Sequence, residues 1–305
     1  MKHLAIAGLI NIETTLKVDA FPVAYEPARF PYFGVNTTVS GVGYNLTKAL
    51  HTLGHRVHFL SIVGADANGE LARTSLADLG IETSHIHAAM PHTAQSVILY
   101  DPTGKRAIYT DLKDIQERAF PLDVSDQLLP RCDLALICNI NFARPMLAQA
   151  RAAGLPIATD VHAIGAIDDD YNRDFMAAAH ILFQSHENLP CTPEEWLREL
   201  WARYQTPLAV VGLGEQGALL AVYDDQAITH VPAVYTRPVV STIGAGDALF
   251  SAFVHTYLQT PDPLAALRKA VVYASYKIGV VGAADGFLTA AEFDRWAASV
   301  SPPTA

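Results

Sequence analysis

The sequence predicts an α/β protein with a central, mostly parallel sheet, helices on both faces and a small separate β layer in the N-terminal half. Three observations carry that expectation. From about Arg56 onward, short apolar runs alternate with amphipathic stretches, and the helical stretches open on capping residues. Two segments, 12–40 and 93–111, break this rhythm with β-branched and aromatic residues and no helical period. Strands alternating with helices argue for a parallel sheet, because a parallel connection needs a crossover long enough to hold a helix.

In chain order, MKHLAIAGL reads as a first strand rather than a leader, since Asn11 and Glu13 soon follow and no small-residue cleavage site appears. VSGVGYNLTKALHTLG (39–54) opens a helix on glycines and stops it at Gly54. RVHFLSIVG is a strand and NGELARTSLADLG a helix; TAQSVILYDPTGKRAIYTD is two alternating strands around the turn Asp101-Pro102-Thr103-Gly104. DLALICNI, LPIATDVH and HILFQS are strands, with RPMLAQARAAG a helix after the first. Thr192, Pro193 and Glu195 supply an N-cap, a first-turn proline and a capping-box acid before WLRELW, and Thr289 with Glu292 repeats the box. PLAVV is a strand, ALLAVYDDQAITHVPAV more strand around Asp224-Asp225, and SPPTA a frayed tail. The chain is expected to form one domain, 1–305, in which 12–40 and 93–111 build a β lid.

Composition narrows the function. Half the residues are hydrophobic and 17% are charged, and no run of about 18 apolar residues exists to span a bilayer, so a compact cytoplasmic protein is expected. The net charge of −10, without a basic run, argues against a nucleic-acid partner. Cys132, Cys138 and Cys191 show no CxxC spacing and read as reduced core residues.

Gly212-x-Gly214-x-x-Gly217 has the spacing of a dinucleotide fingerprint, but that motif must end a strand and open a helix on whose amides the pyrophosphate sits. The residues after Gly217 read as strand. A glycine turn remains, which still lets backbone approach a flat ligand. RPVVSTIGAGDALFSAFVHTYL (237–258) is more informative: Gly244, Ala245 and Gly246 stand at the mouth of an apolar helix, where unpaired amides favour an anion. Asp247 beside them can take a proton from a hydroxyl, or simply complement the helix dipole. In the first glycine turn, Gly41 and Gly43 permit close approach and Asn45 supplies a polar head.

With both stretches, the sequence resembles the PfkB or ribokinase family of small-molecule kinases, which carry a glycine-Asn motif near the N-terminus and a GAGD motif near the C-terminus. Gly8-x-x-Asn11-x-Glu13, Asp160 and the Gly214–Gly217 turn extend the match. The resemblance implies a ribokinase-like fold and ATP- and Mg²⁺-dependent phosphorylation of a hydroxyl, usually a primary alcohol, of a sugar or nucleoside. It implies Asp247 as general base, the amides of Gly244, Ala245 and Gly246 as anion hole, and Asn11, Glu13, Gly41, Gly43 and Asn45 around the acceptor. On the nucleotide side it implies Ser185, Gly212, Gly214 and Gly217, with Glu187 linked to Mg²⁺. A homodimer through the β lid is compatible with it.

Several positions depart from the family pattern. Glu13 stands where Asp is usual, Ser40 where glycine is commoner, and Gly212 where Thr is common. The NxxE element falls on Ser185-His186-Glu187-Asn188 and matches at neither end. Ser241 replaces the Asp that often opens DTxGAGD and helps hold a monovalent cation in ribokinase-like members, which puts K⁺ activation in question. Lys105 and Arg106, the only obvious cations for an already phosphorylated acceptor, read as a solvated hairpin tip. The alternatives are a catalytically weak sugar- or nucleoside-binding sensor of the same fold and, further off, an NAD-dependent oxidoreductase. There is no GxxxxGK[ST], so a P-loop kinase is excluded.

Overall fold

In a computed structural model that describes residues 1–300, the chain opens with β1 (His3–Ala7), β2 (Asn11–Lys17) and β3 (Val35–Ser40), then α1 (Val42–Thr52), β4 (Arg56–Gly64), α2 (Ala67–Ala77) and β5 (Ile86–Met90). The hairpin β6 (Gln95–Tyr100) and β7 (Arg106–Asp111) comes after them. Next are α3 (Leu122–Leu128), β8 (Leu134–Ile137), α4 (Pro145–Ala152), β9 (Ile157–Asp160), α5 (Arg173–Ala178), β10 (Ile181–Ser185) and α6 (Pro193–Tyr204). The chain continues with β11 (Leu208–Gly212), β12 (Ala218–Val222) and β13 (Ala227–Val231), then α7 (Ala245–Gln259), α8 (Pro263–Lys277) and α9 (Ala290–Ser299). SPPTA lies outside the described residues.

The strands form a nine-stranded sheet, ordered β13-β12-β11-β10-β9-β8-β1-β4-β5, and a separate four-stranded sheet, β3-β2-β6-β7. All pairings from β11 to β5 are parallel, and the β12–β13 hairpin adds two antiparallel strands at one edge. Parallel strands are covered on both faces, so alternate residues serve two cores. In β1, Leu4 and Ile6 enter the core made by α1, α2, α7, α8 and α9, whereas Ala5 and Ala7 enter the one made by α3 to α6. The chain leaves β1 toward β4 and returns on its other side as β8, a topological switch whose C-terminal crevice is where such sheets bind ligands.

The two β-rich segments do join. β2 pairs antiparallel with β3 and parallel with β6, which pairs antiparallel with β7. Asp101 closes the β6–β7 turn by accepting from the Thr103 and Lys105 amides at 2.9 and 3.1 Å, and Gly104 takes φ 85°. Both capping boxes are formed: Thr192 accepts from the Glu195 amide at 3.3 Å and Thr289 from the Glu292 amide at 3.4 Å, each arrangement contributing about 1 kcal/mol. One expectation needs correction. Only Cys138 is a core cysteine, because Cys132 and Cys191 sit at helix ends that remain partly exposed; all three are free thiols. Among the described residues no helix is long and apolar enough to cross a membrane.

Candidate active site

The site is assembled where the small sheet meets the C-terminal edge of the large one. Asn11 and Glu13 alternate along β2 and so project to the same, buried face. Asn11 Nδ2 donates to Ser96 Oγ on β6 at 3.0 Å, and Ser40 Oγ, at the end of β3, donates to Glu13 Oε2 at 3.0 Å. The same hydroxyl lies 3.4 Å from Asn45 Oδ1, and Asn45 Nδ2 donates to Asp247 Oδ2 at 2.7 Å. Glu13, Ser40, Asn45 and Asp247 thus form one continuous polar chain joining the two glycine motifs. Two buried oxygens beside it, Asn11 Oδ1 and Glu13 Oε1, have no partner. Buried acceptors without donors are rare, and hydroxyl groups of a bound molecule would satisfy them.

Gly41 and Gly43 serve this geometry through backbone contact. Gly41 caps α1 with φ 107°, and a Cβ on Gly43 would lie 2.5 Å from the Gly8 carbonyl carbon, so α1 begins in contact with the exit of β1. That contact puts Asn45, on the first turn of α1, opposite Asp247 on the first turn of α7. Gly244 caps α7 at φ 78°, and its missing side chain makes room for the Ala283 carbonyl, which would be 2.6 Å from a Cβ. Gly246, by contrast, faces open space. The Ala245 amide donates to the Thr242 carbonyl at 3.2 Å, whereas no described backbone bond engages the Gly244, Gly246 or Asp247 amides. The set of free amides therefore differs by one member from Gly244, Ala245 and Gly246: Ala245 drops out and Asp247 joins, because the chain tightens into a turn just before the helix.

Electrostatics set the carboxylates apart. Burial pushes the Asp247 carboxyl up to about 6; the Asn45 hydrogen bond, His162 and Lys277 favour its ionised form, and Asp160 opposes it. Burial also raises Glu13, while the Ser40 hydroxyl, the Ala283 amide and Lys277 pull it back and Asp285 pushes it up. A carboxylate held near neutrality beside free helix amides can accept a proton while an anion is held next to it.

The other predicted residues lie along the same sheet edge, past Asp160 at the end of β9. Ser185 and Gly212 are direct register partners at the ends of β10 and β11. His186 folds over them, its Nδ1 and its amide lying 2.9 and 3.0 Å from the Gly212 carbonyl. Gly214 starts a short 3₁₀ turn and Gly217 ends it at φ 99°, after which β12 runs back antiparallel to β11. No helix comes after these glycines, so the fingerprint spacing has none of the geometry hydride-transfer enzymes use. The Glu187 amide donates to Ser185 Oγ at 3.2 Å, and its carboxylate is exposed. Among the described residues no group of three His, Cys, Asp or Glu could hold a metal ion.

Sequence reasoning missed three contributors. Arg106 is not a free hairpin tip: it reaches across from β7, donates to Thr242 Oγ1 at 3.1 Å and approaches Glu187 Oε1 at 3.9 Å. His162, held at φ 58°, turns back so that its amide donates to Asp160 at 2.8 Å beside Asp247. Lys277 is wholly buried and donates to the Ile243 and Gly282 carbonyls. Only Lys277 left a signal, as a lone charge in the apolar run VVYASYKIGVVG.

Known proteins resemble this chain in sequence and in fold. Residues 1–290 match the family described as pfkB family carbohydrate kinase. The chain is 26% identical to an ATP-dependent ribose-1-phosphate kinase of Halopiger xanaduensis, over 99% of both chains. It is 24% identical to a deoxyribokinase of Salmonella typhi, over 96% of this chain and 98% of that one. Among solved structures, a microbiome-derived acarbose kinase, Mak1, superposes with a TM-score of 0.86 at 25% identity, over 97% of this chain and 99% of the other.

Proposed function

The chain belongs to the pfkB family of carbohydrate kinases and has the ribokinase-like fold, and on that premise we propose that it transfers the γ-phosphoryl group of ATP to a hydroxyl, a primary alcohol, of a small sugar or nucleoside. Asp247 takes the hydroxyl proton as that oxygen bonds to the γ-phosphorus and the bond to the ADP oxygen breaks. Amides at the start of α7, those of Gly244, Gly246 and Asp247, stabilise the charge on the transferring group. Phosphoryl transfer leaves the protein little covalent work, so positioning and electrostatics carry most of the rate.

The observation that carries this reading is the polar row Glu13, Ser40, Asn45 and Asp247, in which Ser40 donates to Glu13 with Asn45 Oδ1 3.4 Å from the same hydroxyl, and Asn45 donates to Asp247. It would hold the base in register with an acceptor whose hydroxyls donate to Asn11 Oδ1 and Glu13 Oε1. The nucleotide would lie over Ser185, Gly212, Gly214 and Gly217. The site fits only a Mg²⁺ ion carried mainly by phosphates and water, with Glu187 as the nearby carboxylate, and such an ion would neutralise phosphate charge. The small sheet would act as a lid within a single kinase domain, and its outward face, with the cross-strand pair Val97 and Tyr109 exposed, is where a homodimer would form.

Arg106 favours a second reading of the acceptor. A guanidinium beside Thr242 suits a sugar that already carries a phosphate, as the name of the Halopiger relative states for that protein. A coupled ADP-release screen with free sugars, sugar phosphates and nucleosides tests both. Acceptor-dependent ADP release supports the kinase and its best class names the acceptor. Ligand binding without ADP release over the whole panel would instead favour the sensor.

A further inference from the structure

We propose that Lys277 is a built-in monovalent cation, its ammonium holding the anion-binding loop in the way a bound potassium ion would, so that the enzyme works without K⁺. The inference deepens the kinase reading and rests on it.

Lys277 ends α8 inside the protein, with no ion pair among the described residues. Its Nζ donates to the Ile243 carbonyl at 2.7 Å and to the Gly282 carbonyl. These two carbonyls occupy matching places. Ile243 directly precedes Gly244, Gly282 directly precedes Ala283, and Gly244 and Ala283 are in backbone contact. The ammonium therefore ties together the two loops whose contact shapes the start of α7. Backbone carbonyls converging on a single positive charge are also what potassium sites are made of. The small sheet closes over this junction, Ile98 packing on Ile243 and Ala283.

The remaining groups do not suit a metal cation. Ser241 stands where a carboxylate would add negative charge, and its buried hydroxyl accepts from the Ile243 amide at 3.4 Å. The two carbonyls are already occupied, and a second cation beside the ammonium would meet like charge in a poorly solvated place. Burial pulls the lysine down to about 8, with Asp247, Asp285 and Glu13 opposing the fall, so it remains mostly charged at neutral pH. Lys277 acts through the loop and is a positioning residue.

The test compares initial rates in KCl, NH₄Cl and tetramethylammonium chloride at equal ionic strength, with an acceptor from the ADP screen, and follows melting temperature in the same salts. The wild type is expected to show indistinguishable rates in the three salts; stimulation by K⁺ over tetramethylammonium overturns the proposal and needs no variant. Lys277→Met is expected to lower kcat by roughly tenfold to a hundredfold, the scale of the charge-assisted hydrogen bonds removed. K⁺ and NH₄⁺, but not the bulky cation, should recover part of that loss and raise the variant's melting temperature; Ser241→Asp in the same background should recover more. A folded Lys277→Met with unchanged kcat, or with a loss no small cation relieves, overturns the idea. If no acceptor releases ADP, the kinase reading fails separately, and K⁺-dependent stabilisation of the variant alone still decides the cation.

Discussion

The polar groups around Asn45 and the rim around Gly212 are positioned by opposite means, although both sit on the same sheet edge. On the first side, buried side chains hold one another: Ser40 donates to Glu13 and lies 3.4 Å from Asn45, which donates to Asp247, and α1 is pressed against the exit of β1 at Gly43. On the second side the backbone does the positioning. Ser185 and Gly212 are fixed by β10–β11 register, and the exposed side chains, Glu187 and Arg106, approach each other only loosely. A preorganised pocket suits an acceptor that must be aligned to its base, whereas a backbone rim suits a ligand recognised by its flat base and phosphates.

The sharpest break in this comparison is Asp247→Ala, for which kcat is expected to fall about 10²–10⁴-fold, as for a lost general base. Near-normal turnover would remove Asp247 from its proposed role. Asn45→Ala should cost about 10–100-fold in kcat, the scale of one hydrogen bond to a charged group. It should also change the pH profile in a defined direction. The base must be ionised, so activity falls as pH drops through about 6, and losing the Asn45 bond, which favours the ionised form, should move that acid limb upward. An unmoved limb would mean that Asn45 does not act on Asp247.

The rim should respond through folding more than chemistry. Gly217 has φ 99° and a Cβ there would lie 2.1 Å from the Val231 carbonyl oxygen, so Gly217→Ala should destabilise by roughly 2–4 kcal/mol in denaturant unfolding. At Gly212 the nearest atom to a Cβ is 3.8 Å away, and Gly212→Ala should stay within about 0.5 kcal/mol. Equal effects at the two glycines would contradict this account of the turn. Among the kinetic effects the smallest is expected at Arg106→Ala, roughly twofold to tenfold in KM, since its contacts are half exposed; the change falls on a phosphorylated acceptor if Arg106 meets its phosphate and on ATP if it belongs to the nucleotide rim.

Local backbone requirements were legible in the sequence. The glycines at 41, 43, 244 and 246, with Asn45 behind the first pair and Asp247 behind the second, mark two helix starts, and such starts are visible within a few residues. The paired β segments were legible from their alternation, and the capping boxes from their spacing. Partners supplied from far along the chain were not. Nothing near Ser40 announces that it would bridge Glu13 to Asn45, because that role depends on β3 ending beside α1. Arg106 looked like a surface cation until the small sheet brought it to Thr242, 136 residues away. Register likewise, not proximity in sequence, put Ser185 against Gly212.

The buried ammonium of Lys277 also makes the pH dependence of folding diverge from that of the site. Its pKa is lowered from 10.5 to about 8 in the folded chain. Between those values the unfolded chain binds more protons, so this residue's contribution to stability rises with pH and is lost as pH falls through about 8. Over the same interval the folded protein sheds the charge that ties the two loops together. Mild alkali therefore favours the fold through this lysine while loosening the loop it holds, so the two contributions of one side chain run in opposite directions with pH.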